Sequence, residues 1–162
     1  GVVSPVPSRQ GAWGRDWRIL TMVMLAFLAA CGGRTPDPGP PTDETLERAA
    51  QVAQGALDLD QPESAARLYA RALERARERD DPNAMDSMAF GQATAALAHG
   101  DAATARAVSA GMREDLARRG LAVSAGLLLA EAPANFRLGN LPEADRLARA
   151  VTSRTEYAPA SR

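Results

Sequence analysis

Apolar residues recur every three or four positions through most of the chain from residue 43 onward, which is the spacing of one face of an α-helix. The run Ala65, Leu68, Ala72 and Ala76 is one example. No segment alternates apolar and polar residues in the way that a half-buried β-strand does. Turn-forming residues separate six predicted helices, over residues 43–59, 62–79, 83–99, 102–119, 121–138 and 142–155. The sequence therefore predicts an all-α fold.

The predicted helix boundaries carry residues that start and stop helices. Pro62 stands where the second helix begins, and Gly100 and Gly139 stand where the third and fifth helices end. Thr42 is the predicted N-cap of the first helix. Pro133 falls inside the fifth predicted helix, where it is expected to kink or break the helix at a cost of about 3 kcal/mol unless packing tolerates it. These signals divide the helices into pairs joined by short turns.

The second helices of the three pairs begin with similar sequences. Ala65, Ala105 and Ala144 occupy the same position in that helix and lie 40 and 39 residues apart. A repeat of roughly 20–50 residues with two helices per unit is typical of an α-solenoid, in which neighbouring units stack to bury a continuous core. We therefore predict three helical hairpins stacked in order, and a plain helical bundle remains the alternative.

The hairpins resemble tetratricopeptide repeats. In that family a small residue opens the second helix, as Ala65, Ala105 and Ala144 do here. A Gly-Asp or Gly-Asn turn precedes that helix, as Gly100-Asp101 and Gly139-Asn140 do here. The position that usually carries an aromatic residue on the first helix holds Ala56, Ala96 and Asn135. The resemblance covers the predicted helices and implies a scaffold that binds other proteins.

The resemblance also implies where a partner would bind. In repeats of this type the first helices line a concave groove, which here would be strongly apolar. Its apolar residues, placed by register, are Leu57, Phe90, Leu97, Leu129 and Phe136. Exposed apolar patches often mark partner sites. The alternative is that the last four fill the core of three tightly packed hairpins. The scarcity of aromatic residues, 4% of the chain, favours a core role for at least two of them.

A short apolar segment near the N-terminus ends at the single cysteine. Arg15 and Arg18 precede the apolar run 19–30, and Cys31 follows it in the sequence Leu28-Ala29-Ala30-Cys31-Gly32. Positive charges before a short apolar run are typical of a secretory signal. As a helix the run would reach about 18 Å, well short of the ~30 Å hydrocarbon core, so a stable membrane span is disfavoured.

This arrangement resembles the signal peptide and lipobox of bacterial lipoproteins. The resemblance implies cleavage between Ala30 and Cys31, a diacylglyceryl group on the Cys31 sulfur, and attachment to the lipid bilayer. Gly32 stands where an aspartate would favour the inner membrane. In a host with two membranes this favours the outer membrane, with the protein on its periplasmic face. An ordinary secretory signal, or a buried helix of a cytoplasmic protein, remains the alternative.

The predicted domains follow from these segments. They are a lipoprotein signal peptide over residues 1–30, a lipidated cysteine and proline-rich linker over 31–42, and a tetratricopeptide-like domain over 43–162. The stretch Thr35 to Pro41 contains four prolines, which forbid a helix and favour an extended polyproline conformation. The linker would therefore hold the repeats away from the membrane surface.

The composition gives no indication of an enzyme. The chain has one cysteine, one histidine and no lysine, so it offers neither a His/Cys cluster for zinc nor a lysine-containing phosphate loop. His99 is expected to cap a helix end. The formal net charge of −1 gives no electrostatic case for nucleic acid. We expect no catalytic site, no metal, and no cofactor beyond the lipid on Cys31.

The sequence as a whole predicts a membrane-anchored lipoprotein of the cell envelope. Its repeats are expected to act as an adaptor or scaffold that binds a protein or peptide, and a homo-oligomer is a further option. One alternative is a fragment of a longer structural repeat array. Another is a non-catalytic activator of a cell-wall enzyme.

Overall fold

The computed structural model describes residue 1 and residues 41–156, and all regular secondary structure in that range is α-helical. The helices found there are α1 Glu44–Asp58, α2 Pro62–Glu78, α3 Pro82–Ala98, α4 Ala102–Arg118, α5 Ala125–Arg137 and α6 Leu141–Glu156. The predicted all-α fold is confirmed. Every helix except α5 begins within one residue of its predicted start. The predicted signal peptide, Cys31 and most of the linker lie outside the described residues.

The helices form three hairpins that stack in sequence order. Each helix packs against the next, which pairs α1 with α2, α3 with α4, and α5 with α6. The first helices also touch, since α1 contacts α3 and α3 contacts α5. Within residues 41–156 the second helices do not contact one another. The stack therefore curves toward α1, α3 and α5, which form the inner face of an α-solenoid.

Asp43 caps the first helix, so the prediction of Thr42 as the N-cap was wrong. The Asp43 carboxylate accepts a hydrogen bond from the Thr45 N–H at 3.0 Å. It also accepts one from Arg75 Nε of α2 at 2.6 Å. Asp43 therefore has both a local and a tertiary partner, and the second one fixes the start of α1 against α2. The sequence around residue 42 gave no sign of this contact.

The turns inside the three hairpins share one backbone conformation. The residue after each first helix's C-cap has a positive φ, which is 56° at Asp60, 91° at Gly100 and 77° at Gly139. Glycine adopts this conformation without steric cost, and aspartate tolerates it better than most residues do. The first hairpin thus has the same turn as the others with a different residue in it.

The fifth helix begins at Ala125, four residues later than predicted. Ser124 caps it by accepting a hydrogen bond from the Leu127 N–H at 3.3 Å. Asp86 of α3 accepts hydrogen bonds from the Ser124 N–H at 3.0 Å and from its hydroxyl at 2.5 Å. This tertiary contact holds the preceding residues outside the helix. The helix then continues through Pro133, which does not break it.

Small apolar residues dominate the packing between hairpins. Of the two buried clusters found among residues 41–156, the smaller consists of Ala93, Ala96, Ala105, Ala130 and Ala134. The larger cluster joins α1 to α4 and reaches α5, and its largest members are Leu46, Tyr69, Leu73, Met85, Met88, Met112, Leu116 and Leu127. Alanine loses no side-chain entropy on burial but removes little apolar area from water. The fold therefore depends on many close contacts rather than on a few large side chains.

The contact between Asp43 and Arg75 should make stability depend on pH in the acid range. The hydrogen bond from Arg75 holds the pKa of Asp43 below its ordinary value of 3.8. Because the pKa is lower in the folded state, the contact stabilises the fold above that pH and is lost as the pH falls through the folded-state pKa. Asp43→Asn keeps an oxygen for the Thr45 N–H but removes the charge. Urea unfolding should show a wild-type advantage at pH 6 that shrinks below pH 3.8, and a pH-independent difference would contradict this.

Candidate interaction surface

The inner face of the solenoid exposes large apolar side chains on α3 and α5. Phe90 is 39% exposed, Leu129 56% and Phe136 66%. Phe90 and Leu129 occupy equivalent positions in their hairpins, 39 residues apart. Leu129, Pro133 and Phe136 share one face of α5 because they are spaced four and three residues apart. Phe90, Leu129, Pro133 and Phe136 are called the inner apolar patch below.

Phe90 reaches α5 because Gly126 has no side chain. A Cβ atom at residue 126 would lie 3.2 Å from Phe90 Cδ2, which is tighter than ordinary van der Waals contact. The aromatic ring therefore covers the backbone of α5 one turn before Leu129. This contact makes the part of the patch on α3 continuous with the part on α5.

The two remaining apolar positions predicted for the groove are half-buried. Leu57 packs against the larger buried cluster, and Leu97 packs against the smaller one. The structure thus places Leu57 and Leu97 at the edge of the core. It places Phe90, Leu129 and Phe136 on the open surface.

Toward α1 the inner face becomes polar. Glu47 and Gln54 hold the positions on α1 that correspond to Gly126 and Pro133 on α5. Gln54 Oε1 accepts a hydrogen bond from the Tyr69 hydroxyl at 3.2 Å. Burial raises the pKa of Tyr69, so this hydroxyl keeps the proton that it donates. A partner lying along the inner face would therefore meet polar groups at one end and apolar groups at the other.

Pro133 adds a polar feature to the inner apolar patch. It has no N–H, so it cannot donate the usual intrahelical hydrogen bond to the carbonyl four residues earlier, which belongs to Leu129. A hydrogen-bond acceptor is therefore left without its usual donor beside exposed apolar side chains.

A second apolar depression lies between α5 and α6. Its lining consists of Ala132, Pro133, Phe136, Leu141, Ala144, Asp145 and Ala148, so it is apolar except for the Asp145 carboxylate, and its volume is about 530 Å³. We call it the end groove. Pro133 and Phe136 belong to both the end groove and the inner apolar patch, so the two surfaces are continuous. Sequence reasoning missed this groove, although Leu141, a large apolar residue at the position of Pro62 and Ala102, could have indicated it.

A buried ion pair joins α4 to α5. Glu131 is 2% exposed and accepts two hydrogen bonds from Arg113, Nε to Oε2 at 2.7 Å and Nη2 to Oε1 at 2.9 Å. The bond to Glu131 raises the pKa of Arg113. Asn135 Nδ2 donates to the Glu131 carbonyl at 3.0 Å and its Oδ1 accepts from Asn140 at 2.9 Å. These groups bond to one another, so the cluster fixes the joint between the second and third hairpins.

Titratable side chains are dispersed over the described helices. In the part of the chain from residue 41 to 156, no three His, Cys, Asp or Glu side chains come together so as to hold a metal ion. His99 lies at the C-cap of α3, where its backbone N–H donates to the Ala95 carbonyl at 3.2 Å. None of the helices in this range combines the length and the apolar character needed to cross a bilayer.

Three stacked hairpins with their first helices on the inner face define a tetratricopeptide-like α-solenoid. A solved structure with this fold is the crystal structure of the TPR domain of Arabidopsis FLU, with a TM-score of 0.63 and 21% sequence identity. The likeness covers 68% of this chain and 94% of that one. At this identity the likeness establishes the fold alone. No protein-family model and no curated protein matches the sequence.

Proposed function

We propose that this protein is a membrane-anchored adaptor of the cell envelope that binds another protein through the inner apolar patch. The observation that carries the proposal is the exposure of Phe90, Leu129 and Phe136 together on the inner face of a repeat scaffold. Large exposed apolar side chains grouped on one surface mark sites of protein association. The fold supports an interaction role, and we propose no catalytic role for the protein.

The character of the patch limits the kind of partner. No residue of the inner apolar patch is charged, so the partner's contact residues should be apolar rather than acidic or basic. An amphipathic helix with apolar side chains three and four residues apart could contact Leu129, Pro133 and Phe136, which have the same spacing. The polar inner face of α1 would then set the orientation of the bound segment.

The anchor part of the proposal rests on the N-terminal sequence. Cys31 follows a short apolar run and two arginines, in the arrangement that resembles a lipoprotein signal. Each buried CH₂ of an acyl chain contributes about 0.8 kcal/mol, and two chains give stable attachment where one does not. The prolines of 35–41 would keep the linker extended at about 3.1 Å per residue. The lipid would thus confine the adaptor to a membrane surface, the periplasmic face of an outer membrane in a host with two membranes.

Removal of the Cys31 sulfur should abolish lipid attachment. Cells producing the wild-type chain or Cys31→Ser are labelled with an alkyne fatty acid, and the purified protein is assayed for the label. We expect complete loss of label and accumulation of the uncleaved precursor for Cys31→Ser. Gly33→Ala, which alters the same segment but keeps the thiol, should be labelled normally. Label retained on Cys31→Ser would contradict the anchor.

A photoreactive side chain at Leu129 should capture a partner in living cells. We expect irradiation to yield one discrete crosslinked protein, because Leu129 lies at the centre of the inner apolar patch. The matched control is the same side chain at Leu59, which is 72% exposed on the first hairpin. Crosslinks from residue 129 to copies of this chain alone would contradict the adaptor and favour a structural array.

A further inference from the structure

Each hairpin of the solenoid has a groove between its first and second helices. The three grooves are related by the repeat, so their lining residues correspond one to one. The first contains Ala53, Ala65 and Tyr69; the second contains Ala93, Ala105 and Ser109; the third, which is the end groove, contains Ala132, Ala144 and Ala148. What fills the first two grooves therefore indicates what the third is shaped to receive.

The first helix of the following hairpin fills each of the first two grooves. In the first groove, the Tyr69 ring lies against Gly91 of α3, where a Cβ atom would be 2.5 Å from the ring. In the second groove, Ala93 and Ala105 form one buried cluster with two alanines of α5. Those two alanines are Ala130 and Ala134. In both cases the incoming helix, α3 or α5, places small residues between the two helices of the preceding hairpin.

The two incoming helices share one pattern of side-chain size. The small residues lie four apart, at Gly91 and Ala95 in α3 and at Ala130 and Ala134 in α5. Three residues before the first small residue, each helix carries a large apolar residue that is buried. These residues are Met88, 8% exposed, and Leu127, fully buried. The pattern is thus a large apolar residue, a small one three positions later, and an alanine four positions after that.

The end groove is open where its counterparts are covered. Ala148 is exposed, whereas the corresponding Ser109 is fully buried. Leu141 is 55% exposed, whereas the corresponding Ala102 is buried. The groove therefore keeps the two alanine positions shared by all three grooves, Ala132 and Ala144, and has a larger apolar side chain, Leu141, at its rim.

We infer that the end groove is a second docking site, which receives an amphipathic helix from another protein with the size pattern of α3 and α5. This site is distinct from the inner apolar patch, because α6 contributes Leu141, Ala144 and Ala148 to its lining and because its occupant would carry small residues. The two sites meet at Pro133 and Phe136.

A second copy of this chain is a poorer occupant. Its α1 would be the incoming helix, and Arg48 of α1 stands at the position of Met88 and Leu127. Placing α1 in the groove would bury that guanidinium where the internal joints bury an apolar side chain, which is strongly unfavourable for an unpaired charge. The one carboxylate of the lining, Asp145, is already paired with Arg149 at 2.8 Å. Residues 157–162, Tyr-Ala-Pro-Ala-Ser-Arg, also lack the size pattern.

The test uses as its probe a fluorescent peptide of residues 82–98 carrying Gly91→Ala. In the first groove residue 91 lies against Tyr69, whereas the end groove has Ala148 at that position and so leaves room for an alanine. The full chain is held in lipid nanodiscs, with empty nanodiscs as the background, and binding is followed by fluorescence anisotropy. We expect saturable binding that weakens by about tenfold or more when Leu141→Glu or Ala148→Glu places a charge in the groove. Val52→Glu, a matched change at an exposed apolar residue of α1, should leave the affinity unchanged. The same peptide with Ala95→Leu should not bind.

Several results would overturn the inference. One is equal affinity of the wild type and Leu141→Glu. Another is a dimer in sedimentation that Leu141→Glu converts to monomer, which would assign the groove to a second copy. A third is a tenfold gain in affinity for the peptide when residues 157–162 are removed, which would show that those residues occupy the end groove. Failure of the Leu129 crosslink would affect only the inner apolar patch, so the two sites are tested separately.

Discussion

Arg113→Met should lower the free energy of unfolding by about 3 kcal/mol or more, because it leaves the buried Glu131 carboxylate without its partner. Glu131 is 2% exposed, and both of its oxygens accept hydrogen bonds from Arg113. A loss of this size is a large fraction of the roughly 5–15 kcal/mol that stabilises a typical domain. Urea unfolding followed by circular dichroism measures it directly.

Two further variants separate the buried pair from an ordinary surface pair. Arg67→Met removes the partner of Glu63 in an exposed pair within α2, and it should cost less than about 1 kcal/mol. The first joint between hairpins carries Leu73 and Gln92 at the positions of Arg113 and Glu131. The double variant Arg113→Leu with Glu131→Gln copies that neutral pair, and it should recover most of the stability lost by Arg113→Met. Equal losses for Arg113→Met and Arg67→Met would contradict the explanation.

Gly91→Ala should destabilise the protein by about 1–3 kcal/mol, the usual range for overfilling a packed core. The added Cβ would lie 2.5 Å from Tyr69 Cε1 and 2.6 Å from Cδ1, well inside contact distance. The Tyr69 ring is buried and its hydroxyl is bonded to Gln54, so it cannot move aside freely. Alanine ordinarily stabilises a helix relative to glycine, so the expected sign is opposite to that of helix propensity.

The control and the rescue both come from the chain itself. Gly111 lies in α4 with open space around it, so Gly111→Ala should stabilise the protein by about 0.5–1 kcal/mol. At the second joint the residues corresponding to Tyr69 and Gly91 are Ser109 and Ala130. Adding Tyr69→Ser to Gly91→Ala should therefore remove the clash, although it also removes a large buried ring. If the double variant loses as much free energy of unfolding as the two single variants lose together, or more, the two residues are not coupled.

The helices and their pairing could be predicted because the signals for them are local. Pro62 fixes a helix start whatever surrounds it, and the glycines at 100 and 139 favour the positive φ that each turn requires. The repeated alanines at Ala65 and Ala105 mark helices that must pack closely. Each of these signals is read within a few residues of the chain, so the sequence alone was sufficient.

The start of α5 could not be predicted, because the residue that fixes it is distant. Ser124 becomes the cap through Asp86, which lies 38 residues earlier on α3. The role of Glu131 was hidden for the same reason, since its partner Arg113 is 18 residues away on another helix. Asn135, at the position that the family usually gives to an aromatic residue, is buried because it bonds to the Glu131 carbonyl and to Asn140.

The candidate site was predictable in position but not in exposure. The repeat register places Leu57, Leu97 and Phe136 at equivalent positions, yet the first two are half-buried and Phe136 is 66% exposed. Exposure depends on whether a further helix covers the position, and no local pattern reveals that. The end groove was missed for the same reason, because its lining alanines read as ordinary core residues.

The differing residue sizes at the two joints mean that the hairpins are not interchangeable. A chain shortened by deleting α3 and α4 would bring Ala130 against Tyr69, where the present partner is a glycine. It would also set Glu131 opposite Leu73, with no cation to neutralise it. The order of the hairpins is thus fixed by the side chains at each joint, so the number of repeats cannot change by simple loss or duplication without compensating substitutions on both sides of the new joint.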